Sequence, residues 1–113
     1  MRNSATALAV VMAIAVSLSS PSFAAADEHL ASAVKHTQQA ERSAYLGDAD
    51  GLVRNAEEAL TQAKESEKAS SNEHTKQAID HLTATIAAGQ KGDTEAARKH
   101  VLEAVNHLKQ AEK

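Results

Sequence analysis

Cysteine and tryptophan are absent from this 113-residue chain, and proline, tyrosine and phenylalanine occur once each. Without cysteine no disulfide can staple the fold, and no thiolate is available as nucleophile or metal ligand. With so few aromatics the core must be built from Leu, Val, Ile and Ala, and there is no set of rings on which bases could stack. A basic excess is also missing. Twelve Lys and Arg stand against 15 Asp and Glu, a formal charge of -3, so the chain lacks the electrostatic footprint of a nucleic-acid binder. No glycine-rich phosphate loop or nucleophile motif occurs. A small Ala-rich domain also leaves little room for the concave pocket that catalysis uses. Neighbouring carboxylates such as Glu57 with Glu58, or Asp48 with Asp50, read as solvated helix surface. The chain is not expected to be an enzyme.

Long hydrophobic runs are scarce too. The one that exists, residues 5–18, ends in the polar stretch Ser17-Leu18-Ser19-Ser20 and falls short of the ~20 apolar residues a bilayer-spanning helix needs. Arg2 precedes it, and Pro21-Ser22-Phe23-Ala24-Ala25-Ala26 follows with the small residues a signal peptidase requires. Residues 1–26 therefore read as a signal peptide, cut after Ala24 or after Ala26. The expected product is a soluble, monomeric protein of a bacterial periplasm, with no stable membrane insertion. Its single small domain buries a modest fraction of its surface, so a ligand that binds only the folded state would add usefully to stability.

The mature part repeats. Offset by 45 residues, residues 28–68 align without a gap on residues 73–113, with Glu28, His29, Ala33, His36, Gly47, Asp48, Glu58 and Ala59 matching Glu73, His74, Ala78, His81, Gly92, Asp93, Glu103 and Ala104. In each copy a Gly-Asp pair sets a residue tolerant of positive φ before a good helix N-cap. A stripe that is apolar but for Thr37 recurs at helical spacing on both sides: Leu30, Ala33, Val34 and Thr37, then Leu52, Ala56, Ala59 and Leu60; in the second copy Ala78, Ile79, Leu82 and Ile86, then Ala97, Val101, Ala104, Val105 and Leu108. The fold class is all-α: an up-down-up-down four-helix bundle made from a duplicated helical hairpin. Ser70 and Glu73 have capping-box spacing between the copies. Gly51 costs ~1 kcal/mol relative to alanine inside its helix, so fraying is expected there.

All six histidines fall in pairs seven apart: His29 and His36, His74 and His81, His100 and His107. At ~100° per residue each lies about a quarter-turn from the centre of its helix's apolar stripe, always on the same side. Such a flank can hold solvated histidines inherited by duplication, or metal ligands. Imidazole is the commonest protein ligand for Cu(II), Ni(II) and Zn(II). Two histidines seven apart on one helix cannot share an ion, since ~1.5 Å of rise per residue separates them by ~10 Å.

Partners must come from elsewhere. In an antiparallel hairpin turning near residues 90 and 91, His74 stands level with His107 and His81 with His100. The opposite bundle hand would instead set His107 and His100 against His29 and His36. Glu103 lies three residues after His100 and four before His107, within reach of both. The equivalent stripe of the first copy reads Asn55, Glu58 and Gln62, and amides are poor substitutes for imidazole. The second copy should therefore bind metal better, with His74, His81, His100, Glu103 and His107 as ligands and His29 and His36 as lesser candidates. Cleavage after Ala26 would add an amino-terminal Asp27-Glu28-His29 site, suited to square-planar Cu(II) or Ni(II).

The order of the short motifs Ala33-Val34-Lys35-His36, Glu58-Ala59-Leu60-Thr61, Ile79-Asp80-His81-Leu82, Lys99-His100, Glu103-Ala104 and His107-Leu108 resembles the small metal-binding protein family. The resemblance covers nearly all of the mature part. It implies a periplasmic four-helix bundle that binds copper and other divalent cations through many histidines. This chain departs from it in carrying Gln39, Asn55, Gln62 and Thr85 where histidine is usual, which implies fewer ions or weaker binding. The expected function is binding and buffering of divalent transition-metal ions, copper first and also nickel or zinc. The competing expectation is a helical interaction or envelope-stress protein whose histidines are incidental.

Overall fold

A computed structural model describes residues 21–113; the body of the expected signal peptide, residues 1–20, lies outside the described residues. Four helices follow in order: α1 (Pro21–Tyr45), α2 (Ala49–Ala69), α3 (Glu73–Gln90) and α4 (Thr94–Ala111). Each packs on its neighbours in sequence, and α1 also packs on α4, closing the ring of a four-helix bundle. No strand occurs among the described residues. None of the described helices is long and apolar enough to cross a membrane.

The two Gly-Asp turns have the same construction. Gly47 and Gly92 take φ of 70° and 76°, the left-handed conformation in which a β-carbon is costly. The residues after them close the preceding helix: Asp48 N donates to Ser43 O at 2.9 Å and Asp93 N to Ala88 O at 3.0 Å, the long bond of a Schellman ending. Each aspartate then caps the next helix, its side chain accepting from Gly51 N in one copy and Ala96 N in the other.

Two local expectations change. Gly51 does not mark a fraying end: it is buried, and its N–H donates to Asp48 Oδ1 at 2.9 Å. A β-carbon there would run into the Asp48 carboxylate and approach Ser43 Oγ to 3.1 Å, so glycine is what lets the cap fold over the helix start. At the head of α3 the cap is Asn72, whose side chain accepts from His74 N at 2.8 Å. Ser70 instead ends α2, donating its N–H to Ser66 O. Glu67 holds the linker between them, accepting from Ser71 Oγ and Asn72 N.

The core is a column of Leu30, Ala33, Ala40, Ala56, Ala59, Ala63, Ala78, Leu82, Val101, Ala104 and Leu108, with Ala44, Leu52 and Ala97 forming a smaller cluster. Alanine at so many inward positions permits helix axes at the short end of the ~8–10 Å range. Three threonines are also buried. Thr37 and Thr85 donate to backbone carbonyls one turn back, Ala33 O and His81 O. α1 is helical through Ala24, Ala25 and Ala26; Ala26 is buried, and its carbonyl accepts from Ser66 Oγ at 3.1 Å.

Candidate metal centre

The apolar stripes decide where the histidines point. Leu82 on α3 and Val101, Ala104 and Leu108 on α4 are fully buried, which turns the flank carrying His74 and His81 toward the flank carrying His100 and His107. All four rings are half-buried in the resulting seam, and Glu103 is exposed at its rim. The Asn72 cap sets the backbone just before His74, and the Asp93 cap starts α4 seven residues before His100.

The level pairs expected from register are present. His74 Nδ1 lies 3.3 Å from His107 Nδ1, and His81 Nδ1 lies 3.5 Å from His100 Nδ1. A hydrogen bond at either place needs one ring to carry the Nδ1 proton and donate while the other accepts. The spacing has a second meaning. Two imidazole nitrogens bound tetrahedrally at ~2.0–2.1 Å from one Zn(II) are about 3.3 Å apart, so both pairs already stand at the edge length of a tetrahedral site.

The rings also meet along the seam. His81 and His107 stack with centroids 5.6 Å apart and planes 12° from parallel. His74 stacks on His107 at 5.6 Å, and His81 and His100 lie at 5.8 Å with a 36° tilt. The result is a continuous ladder, His74 to His107 to His81 to His100, that climbs from one helix to the other and back. Register arithmetic misses its middle rung, because the two residues are not level; only their side-chain directions bring them together. Beside that rung stands Glu103. Ligand atoms of His81, Glu103 and His107 all lie within 4.8 Å of one another, the one group of three or more such residues among those described. Two imidazoles and a carboxylate are donors of the kind a divalent transition-metal ion takes, and Glu103 stands at the exposed rim.

In the first hairpin the same backbone carries other chemistry. His29 Nδ1 donates to the Gln62 amide oxygen at 2.7 Å. His36 Nδ1 is buried with no hydrogen-bond partner among the described residues. Asn55, at the register of His36, donates weakly to Ser43 Oγ at 3.5 Å. Because His29 faces α2, the alternative bundle hand, with His29 and His36 against α4, is excluded.

The family model described as small metal-binding protein matches residues 3–111, nearly the whole chain, and the protein belongs to that family. No curated protein matches it.

Proposed function

We propose, from that membership, that this protein reversibly binds and buffers divalent transition-metal ions in a bacterial periplasm, with copper first and nickel or zinc as alternatives. The observation that carries the reading is the convergence of His81, Glu103 and His107 within 4.8 Å. His81 and His107 supply neutral nitrogen donors from opposite helices, so one ion ties α3 to α4. Glu103 contributes negative charge that offsets part of the ion's own. Copper ranks first because affinity for a nitrogen and oxygen donor set peaks at Cu(II) in the divalent series. A shallow, half-exposed site suits loading and release. The protein has no enzymatic role in this account; the ion is cargo.

Export through an amino-terminal signal fits that role, and cleavage after Ala24 is favoured. Ala26 is buried, and its carbonyl is the acceptor for Ser66; a chain starting at Asp27 would lose both. His29 then stands fifth, and the amino-terminal copper motif does not form. The mass of the exported protein decides between the two starts.

Titration with Cu(II), Ni(II) and Zn(II), followed by calorimetry, tests the main reading. Binding clearly tighter than to free imidazole is expected. Binding no tighter than that would favour a helical interaction protein with incidental histidines. Because an ion that binds only the folded chain stabilises it, a hundredfold excess over Kd should add ~2.7 kcal/mol, seen as a raised unfolding midpoint.

A further inference from the structure

The ladder of four rings holds more than one way to place an ion, and these ways exclude one another. A neutral imidazole has one lone pair for a metal, its other nitrogen carrying the proton. His81 and His107 are both members of the central group with Glu103. Each is also half of an outer pair, His107 with His74 at 3.3 Å and His81 with His100 at 3.5 Å. An ion at the centre therefore uses up the ring that each outer pair needs.

The geometry points to a loading-dependent rearrangement of this seam: the first ion sits on His81, Glu103 and His107, and a second ion splits that site into two, one on His74 with His107 and one on His81 with His100. This rests on the reading that the seam binds metal. The centre fills first because it offers three donors, one of them anionic, against two neutral donors in either outer pair. The outer pairs become usable at higher loading because their nitrogens already stand at the tetrahedral edge length of about 3.3 Å. The rings are stacked rather than interlocked, so exchange of partners needs ring rotation and no movement of the helices. Glu103, three residues after His100 and four before His107, can turn to either new site but not to both. The second ion is accordingly held more weakly, and its arrival weakens the first. The seam thus takes up scarce metal tightly and keeps a reserve for excess.

Titrating the purified chain with Zn(II), while following the imidazole resonances by NMR and ion count by native mass spectrometry, tests this. The first equivalent should give the large shifts of coordination at His81 and His107, and only the smaller shifts of a displaced neighbour at His74 and His100, which touch them. The second, at least ~10-fold weaker, should shift His74 and His100 and move His81 and His107 a second time. The double variant His74→Ala/His100→Ala should stop at one ion in this seam. The rearrangement is overturned if all four rings move together and saturate at one ion. It is equally overturned if the second ion leaves His81 and His107 unmoved, or goes to His29 and His36; in these cases metal binding itself stands. If none of the histidines responds and no ion is retained, the metal-binding reading fails with it.

Discussion

The two hairpins share a backbone plan and differ in chemistry. Both close on a glycine at positive φ, both cap the following helix with the aspartate after it, and both present a pair of histidines on the leading helix and a glutamate on the return helix. The return helix separates them: His100 and His107 in α4 occupy the positions of Asn55 and Gln62 in α2. In α4 the result is a four-ring ladder with a carboxylate at its middle; in α2 it is an amide satisfying His29 and a buried His36 nitrogen with no hydrogen-bond partner among the described residues. Flank positions can change chemistry while the buried stripe and the turns, which decide the fold, stay the same.

That contrast can be broken at equivalent positions. Replacing His107 with alanine should weaken the first ion by ~100-fold or more, at least the upper end of what loss of a supporting residue costs a metal site. Gln62→Ala, at the same place in the first hairpin, should leave that affinity alone; calorimetry with Zn(II) reads both. The converse experiment installs the missing rings. Asn55→His with Gln62→His should create a second centre with His36 and Glu58, adding an ion by native mass spectrometry with a Kd within ~10-fold of the first. Failure to gain an ion would mean that the two seams differ by more than these two side chains. A smaller effect is expected from the carboxylates: Glu103→Gln should weaken binding by ~10-fold, and Glu58→Gln should not change it.

The smallest contrast tests what the hairpins share. Asp48→Ala and Asp93→Ala should each cost ~1 kcal/mol in denaturant unfolding without loss of metal. Unequal costs would point to Gly51, whose close fit under the Asp48 carboxylate has no counterpart at Ala96.

Much of this was legible in the sequence because helical periodicity and an ungapped repeat constrain the backbone strongly. The apolar stripes, the Gly-Asp turns and the level pairs of histidines follow from counting residues, and the family resemblance agrees with the family model's match. Other features depend on side-chain direction and on how loops close. His81 and His107 meet across different levels, which register alone cannot reveal. Asn72 outcompetes Ser70 as a cap because Ser70 is still engaged with the end of α2. Gly51 reads as a weakness in isolation and becomes a requirement once the Asp48 side chain lies over it. The hand of the bundle, which decides whether α4 presents its histidines to α3 or to α1, is set by packing of the whole ring of helices.

The central claim is that one ion sits between α3 and α4 on His81, Glu103 and His107. Anomalous diffraction at the zinc edge, from crystals grown with one equivalent of Zn(II), tests it most directly. A single peak within bonding distance of those three side chains is predicted. A peak at His29, at the amino terminus, or in no fixed place would contradict it.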